Sequence, residues 1–127
     1  MELYNNIFES KLLKTLDDLS TSKISVEFSY PLRLLLKDLI KYQIVFSESK
    51  QILFNHYGIN KNGSLIIENE NKEGISEYVK LLKQSFIINY NTIEIKLNYL
   101  ISKGIELSII DIELLESNNI IKIIINR

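Results

Sequence analysis

Apolar residues in the first part of the chain recur at three- and four-residue steps, which is the spacing of one face of a helix. The stretch from Asn5 to about Ser20 follows this pattern and predicts a first amphipathic helix. The residues STSK at 20–23 predict its end, because short polar side chains compete for backbone hydrogen bonds.

A second, longer helix is predicted between Pro31 and Gly58. Proline is tolerated in the first turn of a helix, and glycine readily adopts the left-handed conformation just beyond a helix end. The bracketed segment, about 30–57, would be roughly 40 Å long at 1.5 Å per residue. Its apolar positions follow the alternating steps of a coiled-coil or helical-hairpin seam, with Ser49 as a break. The seam consists of Leu32, Leu35, Leu39, Tyr42, Phe46, Leu53 and His56.

The first helix, running antiparallel, is the expected partner for half of this seam. Because it is much shorter than the second helix, the uncovered half must pack on the rest of the chain or on another subunit. We expect an intramolecular hairpin rather than a dimer seam, although a homodimer remains an alternative.

The remainder of the chain predicts short helices and strands. The Asn62-Gly63 pair favours a tight turn into a strand, because both residues adopt positive φ at low cost. A third helix is predicted from about Ile75 to Phe86. Residues 92–99 alternate as a half-buried strand does, but helical spacing also continues through 92–103, so both structures remain open there.

Beyond Gly104 the pattern predicts one more helix, Ser108 to Glu116, and a turn at Asn118-Asn119 into IIKIIIN at 120–126. β-Branched isoleucines favour a strand that needs cover on both faces, and an exposed edge there would favour aggregation. The predicted fold class is α+β, with an N-terminal helical hairpin that contains one long helix (about 30–57), followed by a smaller mixed helix and strand half. The whole chain, 1–127, is predicted to be a single domain.

Composition narrows the class of protein. Hydrophobic residues make up 46% and charged residues 24%, which is typical of globular rather than disordered chains. The 15 basic and 16 acidic residues nearly cancel and form no basic stripe, which disfavours a nucleic-acid partner. The chain has no cysteine, no signal-peptide pattern and no apolar run that approaches a membrane span, so we expect a cytoplasmic protein. Abundant Ile, Asn and Lys with no Ala indicate an AT-rich genome.

The segment HYGINKNGSLIIENENKEG at 56–74 is the best candidate for a metal or phosphate loop. With Gly74 at position six of a calcium loop, Asn69, Asn71 and Glu73 occupy positions one, three and five. Lys80 then falls where a bidentate glutamate is required, which argues against calcium. These polar residues are therefore interpreted as turns and helix caps.

Motifs for catalysis are absent from the sequence. His56 is the only histidine and cannot complete a zinc site without cysteine; its place near the end of the long helix favours a contact with the last carbonyls. There is no GxSxG, P-loop or GxGxxG motif. We predict no catalytic, cofactor-binding or metal residues and expect that the chain is not an enzyme. A concave pocket with converging ionisable groups would favour the opposite. The candidate carboxylate groups are Asp17-Asp18, Glu68-Glu70 and Asp111-Glu113-Glu116, which are of a kind that most chains have and are typical of solvated faces or first helix turns.

Aromatic residues could serve as anchors in a protein interface, although most should lie in the core. The tyrosines are Tyr4, Tyr30, Tyr42, Tyr57, Tyr78, Tyr90 and Tyr99. An acidic patch of Glu68, Glu70 and Glu73 that mimics nucleic acid is a further hypothesis, although the net charge of −1 is far from that of a strong mimic. The pattern does not predict which residues bind a partner.

Two stretches have an ordered set of features: SYPLRLLLKDLIKYQIVFSESKQILFNHYGINKNGSLIIEN and EYVKLLKQSFIINYNTIEIKLNYLISKGIELSIIDIELLES. A long helix ends in Tyr-Gly, an Asn-Gly turn follows, and then come an acidic helix with a double leucine and a late helix introduced by Ser and Asp. This order resembles a loose family of small uncharacterised phage and prophage proteins from AT-rich Gram-positive bacteria. The terminal NNIIKIIINR departs from that pattern.

The resemblance implies a non-enzymatic accessory protein in the host cell, which binds a host or phage protein as an inhibitor or an assembly helper. The alternative is a self-assembling structural component of a phage particle, which the uncovered length of the long helix and the isoleucine run would favour. No cofactor, nucleic acid or membrane is expected.

Overall fold

The N-terminal part begins differently from the single helix predicted over Asn5 to Ser20. In the computed structural model, which describes residues 1–125, this stretch is divided at Ser10. The Ser10 Oγ donates to the carbonyl of Ile7 at 2.5 Å and accepts from the N–H of Leu12 at 3.2 Å, which separates two helical segments. The elements are strand β1 (Glu2–Tyr4), a 3-10 turn (Asn5–Glu9) and helix α1 (Leu12–Ser20).

Helix α2 (Val26–Tyr57) has 32 residues and is the longest element. It begins before Pro31, so the prediction that this proline marks the first turn is wrong. The helix starts early because the Ser25 carbonyl accepts from the N–H groups of both Phe28 and Ser29, and Phe28 packs against the core. Pro31 is exposed in the second turn, where its ring removes one backbone hydrogen bond without displacing core side chains.

Helix α2 ends at Tyr57, as predicted, but Gly58 is not left-handed. Its φ of −81° and ψ of 158° are extended values. Glycine is required because the chain passes close to the helix end, where the N–H of Gly58 donates to the Phe54 carbonyl at 2.7 Å. A Cβ at this position would collide with that carbonyl oxygen and lie 3.0 Å from the side chain of Leu65.

The predicted tight turn at Asn62-Gly63 is confirmed. Both residues have positive φ, 53° and 81°, and they join strands β2 (Ile59–Lys61) and β3 (Ser64–Ile66) in an antiparallel hairpin. Lys61 faces Ser64 across the turn, so the loop has two residues, as its sequence favours.

The third helix, α3 (Lys72–Lys83), is shifted by three residues from the predicted range of Ile75 to Phe86. It starts earlier because the side chain of Asn71 accepts from the N–H of Gly74 and caps the helix. It ends earlier because Ser85–Ile87 forms strand β4, which pairs antiparallel with β1. Phe86 therefore lies opposite Leu3 in a sheet.

The ambiguous region 92–103 contains both of the structures that its pattern allows. Strand β5 (Ile93–Lys96) is followed directly by helix α4 (Leu97–Ser102). Gly104 then breaks the chain with a φ of 69°, a value that suits glycine. Alternating spacing therefore identified the four residues of β5, and helical spacing identified the six residues of α4.

The last predicted helix is confirmed as α5 (Ile109–Ser117). Ser108 and Asp111 form a capping box, in which each side chain accepts from the other residue's N–H at 3.1 Å. The turn that follows has Asn119 at a φ of 56°. It leads into strand β6 (Ile121–Ile124), which pairs parallel with β5; Asn126, the end of the predicted strand, lies outside the described residues.

Helix α1 packs antiparallel on the first half of α2, and the second half of α2 packs on α3 and the 3-10 turn. The ion pair from Asp17 to Arg33 at 2.6 Å and that from Glu9 to Lys50 at 2.7 Å show the antiparallel direction. Most of the predicted seam faces inward. Its buried members are Leu32, Leu35, Leu39 and Phe46, with Leu53 half-buried, whereas Tyr42 and His56 are exposed.

One cluster of buried apolar side chains connects the hairpin with the C-terminal strands. It includes Leu12 and Leu16 of α1, Leu32 and Leu39 of α2, and Ile121 of β6. The α+β fold class and the long helix are therefore confirmed. None of the helices within residues 1–125 is both long and apolar enough to cross a lipid bilayer.

Candidate binding surface

His56 lies in the last turn of α2, as predicted, with its side chain exposed. Its ring contacts that of Tyr57 edge-on, with centroids 4.5 Å apart. Within residues 1–125, no three His, Asp or Glu side chains come together as a possible metal site.

Two polar residues of the 56–74 segment, Asn71 and Glu73, connect the end of α2 with the start of α3. Besides capping α3, Asn71 donates through Nδ2 to the carbonyl of Tyr57 at 3.3 Å. Glu73 accepts from the Tyr57 hydroxyl at 3.1 Å, which ties the start of α3 to the end of α2. Glu68 and Glu70 are exposed. The interpretation of this loop as turns and caps is confirmed.

Two carboxylates, Asp17 on α1 and Asp111 beside it, accept hydrogen bonds from other side chains of the protein. Asp111 accepts from the hydroxyl of Thr15 at 2.9 Å as well as from the N–H of Ser108. Burial opposes ionisation of Asp111, but these hydrogen bonds outweigh it and lower its pKa. Asp17 accepts from Arg33, and both of these side chains are about half exposed.

A polar cluster that the sequence did not indicate joins the 3-10 turn, α2 and α3. The Oε1 atom of Glu9 accepts from Lys50 Nζ at 2.7 Å and from the Tyr78 hydroxyl at 2.6 Å. Burial opposes ionisation of Glu9, but both donors stabilise the carboxylate and its pKa is lowered. Burial and the bond to Glu9 raise the pKa of Tyr78. These groups are far apart in the chain, so no local motif could have identified them.

None of the seven tyrosines is fully buried, so the prediction that most of them lie in the core is wrong. The exposed ones are Tyr4, Tyr30 and Tyr42, and the other four are half-buried. Tyr90 donates to the carbonyl of Asn118 at 2.6 Å, and the hydroxyl of Tyr99 accepts from the N–H of Ser25 at 2.8 Å. Tyr42 stacks on Phe86 with ring centroids 4.4 Å apart. The tyrosine most available to another molecule is Tyr30 on α2, which is 60% exposed.

The side of α2 opposite the core is also apolar at many positions. We call this side the outer face of α2. It carries an i, i+4, i+8 row at its start and further aliphatic side chains in its second half. These residues are Val26, Tyr30, Leu34, Ile44, Val45 and Ile52, all 47% or more exposed.

Charged residues divide the outer face into two apolar parts. Lys37 and Lys41 lie between them, and Glu48 lies within the second part. Lys41 forms only a long ion pair of 3.6 Å with Asp38, and its side chain is 71% exposed. The outer face therefore combines apolar anchors with a central positive charge. Sequence spacing could not identify it, because α2 has apolar residues on both sides.

Comparison of the chain with protein-family models, with curated proteins and with solved structures found no match.

Proposed function

We propose that this protein acts by binding another protein and catalyses no reaction of its own. The observation that carries the proposal is the outer face of α2, which presents exposed apolar side chains on a rigid helix of about 48 Å. Scattered exposed apolar residues are ordinary on a protein surface, but a row along one helix suits insertion into a partner's groove.

The charge on this face defines the kind of partner. Lys37 and Lys41 would lie at the centre of the contact, so the partner should have an apolar groove with carboxylates beside it. The resemblance to phage and prophage proteins supports an accessory role in the cytoplasm of a bacterial host. Such a protein would inhibit a host factor or assist particle assembly.

The experiment compares wild type with two surface variants in affinity purification from lysate of a low-GC Gram-positive host, with and without phage infection. Leu34→Lys with Ile52→Lys places charge on the outer face of α2. Ile101→Lys with Ile109→Lys is the matched control at similarly exposed positions elsewhere. Circular dichroism confirms that each variant is folded.

A partner should be captured by wild type and by the control but lost with the outer-face variant. With the purified partner, we expect the outer-face variant to bind at least about tenfold more weakly, the equivalent of about 1.4 kcal/mol. Capture that is lost equally in both variants, or no capture at all, would contradict the proposal.

Self-assembly is the second candidate function, and strand β6 is the observation that favours it. β6 pairs with β5 on one side only among the described residues, and Ile125 just beyond it is 69% exposed. The N–H of Ile123 donates to Glu116 Oε2 at 3.3 Å, so one carboxylate covers part of the open edge. Light scattering over a concentration series should then show a defined oligomer that Glu116→Ala strengthens. A monomer at every concentration for both proteins would exclude this function.

A further inference from the structure

A cavity of about 710 Å³ opens between α1, the connection from α1 to α2, and the loop that follows α4. Its volume lies within the range of small-molecule sites, about 300–1,000 Å³. Leu19, which is buried, and Ile105 and Leu107, which are half-buried, form its apolar wall. Its ionisable side chains are Lys11, Lys14, Lys23, Lys103, Asp18, Glu106 and Asp111.

Two of the three acidic groups are already engaged by the protein. Asp18 accepts from Lys14 Nζ at 3.0 Å. Asp111 holds the hydroxyl of Thr15 and the N–H of Ser108, as described above. Among residues 1–125, Glu106 is therefore the one carboxylate of the cavity without a hydrogen-bond partner, so these residues offer no free pair of carboxylates for proton transfer.

The basic groups of the cavity are in excess. Four lysines line the cavity against Asp18, Glu106 and Asp111, which leaves an excess of one positive charge. Within residues 1–125, Lys11, Lys23 and Lys103 form no salt bridge, although the charge of Lys11 helps to lower the pKa of Asp111. Lys103 Nζ lies 5.7 Å from the centre of the Tyr99 ring, a contact that leaves its N–H groups available.

The hydroxyl groups of the cavity wall cannot supply the same donors. Thr21 donates to the carbonyl of Asp17 at 2.8 Å, and Ser22 donates to that of Leu19 at 2.5 Å. The lysines are therefore the main free hydrogen-bond donors of the cavity wall, and the excess of positive charge favours an anion.

We propose that this cavity binds a small organic anion. Its carboxylate or phosphate group would lie among Lys11, Lys23 and Lys103, and its apolar part against Leu19 and Ile105. This site is separate from the outer face of α2, so it can bind its ligand whether or not that face binds a protein.

The test is a titration of the whole chain followed by ¹H–¹⁵N NMR. The probes are hexanoate with its neutral analogue 1-hexanol, and phenyl phosphate with its neutral analogue phenol. We expect saturable shifts at 21–23 and 103–107 with at least one of the two anions, and the stronger anion identifies the group that the site prefers. The neutral analogue should bind roughly tenfold more weakly.

Two charge-neutralising variants locate the site. Lys23→Gln with Lys103→Gln should weaken anion binding by roughly tenfold, whereas Lys61→Gln with Lys83→Gln removes the same charge at exposed positions outside the cavity and should change it by less than about twofold. Spectra of the free variants show whether each is folded. Equal losses in the two variants, equal binding of neutral analogues, or no saturable shift with either anion would overturn the proposal.

Discussion

Replacing Pro31 with alanine is expected to stabilise the protein. Pro31 is the sixth residue of α2 and has no N–H to offer the carbonyl of Glu27, four residues earlier. Its ring also crowds that carbonyl. Alanine restores the hydrogen bond and relieves the crowding, and little packing is lost because the Pro31 side chain is exposed.

The magnitude of the Pro31 effect follows from two opposing terms. Proline is about 3 kcal/mol less favourable than alanine in a helix interior. Alanine also gives the unfolded chain more freedom, which returns about 0.4–1 kcal/mol to the unfolded state. We therefore expect the free energy of unfolding to rise by about 2 kcal/mol.

Urea denaturation followed by far-ultraviolet circular dichroism measures this change. With an m value of about 2 kcal/mol/M, the midpoint should rise by roughly 1 M while m stays constant. Lys37→Ala is the matched control, because it is exposed on the same helix and leaves the backbone unchanged; its effect should stay within about 0.5 kcal/mol. An unchanged or lowered midpoint for Pro31→Ala would refute the reasoning. Such a result would show that Pro31 does not strain the helix backbone, as is expected of a proline in the first turn of a helix.

Three further predictions test the packing and the charges. Gly58→Ala should lower the free energy of unfolding by about 1–3 kcal/mol, because the added methyl meets the backbone; an unchanged urea midpoint would argue against that close approach. Leu39→Ala should cost about 2–5 kcal/mol and Leu34→Ala less than about 0.5 kcal/mol in the same assay, and similar losses would contradict the assigned faces of α2. Because the pKa of Glu9 is lowered from 4.5 on folding, its carboxylate stabilises the native state above that pH, and the contribution disappears as the pH falls through the folded value. The midpoint temperature of thermal unfolding should therefore fall more steeply below about pH 4.5 for wild type than for Glu9→Gln, and parallel pH profiles would disprove the contribution.

The sequence predicted those elements whose determinants are close together in the chain. The Asn62-Gly63 turn, the Ser108 cap and the break at Gly104 each depend on a few neighbouring residues. Phe86 shows the limit of such signals. Its spacing continues the pattern of α3, yet it lies in β4 because the backbone pairs with β1, and no local pattern records a distant partner.

The candidate sites were harder to predict for the same reason. Apolar residues occur on both sides of α2, and only the packed structure shows which side α1 covers. The anion cavity joins 11–23 with 103–111, and the Glu9 cluster joins three separate elements. Neither arrangement has a sequence motif. By contrast, the interpretation of the 56–74 loop needed only its own residues.

The pairing of β1 with β4 also has a consequence for the order of events during synthesis. Tyr4 and Ser85 are partners 81 positions apart, whereas α1 and α2 are joined by the short connection 21–25. At about 5–20 residues per second, β1 waits roughly 4–16 s for β4 to be made. The helical hairpin can close in that interval, because a short loop loses little entropy on closure. Leu3, buried in the finished protein, therefore spends those seconds without its β4 partner Phe86, and a chaperone that holds short apolar segments would have its longest opportunity at this strand.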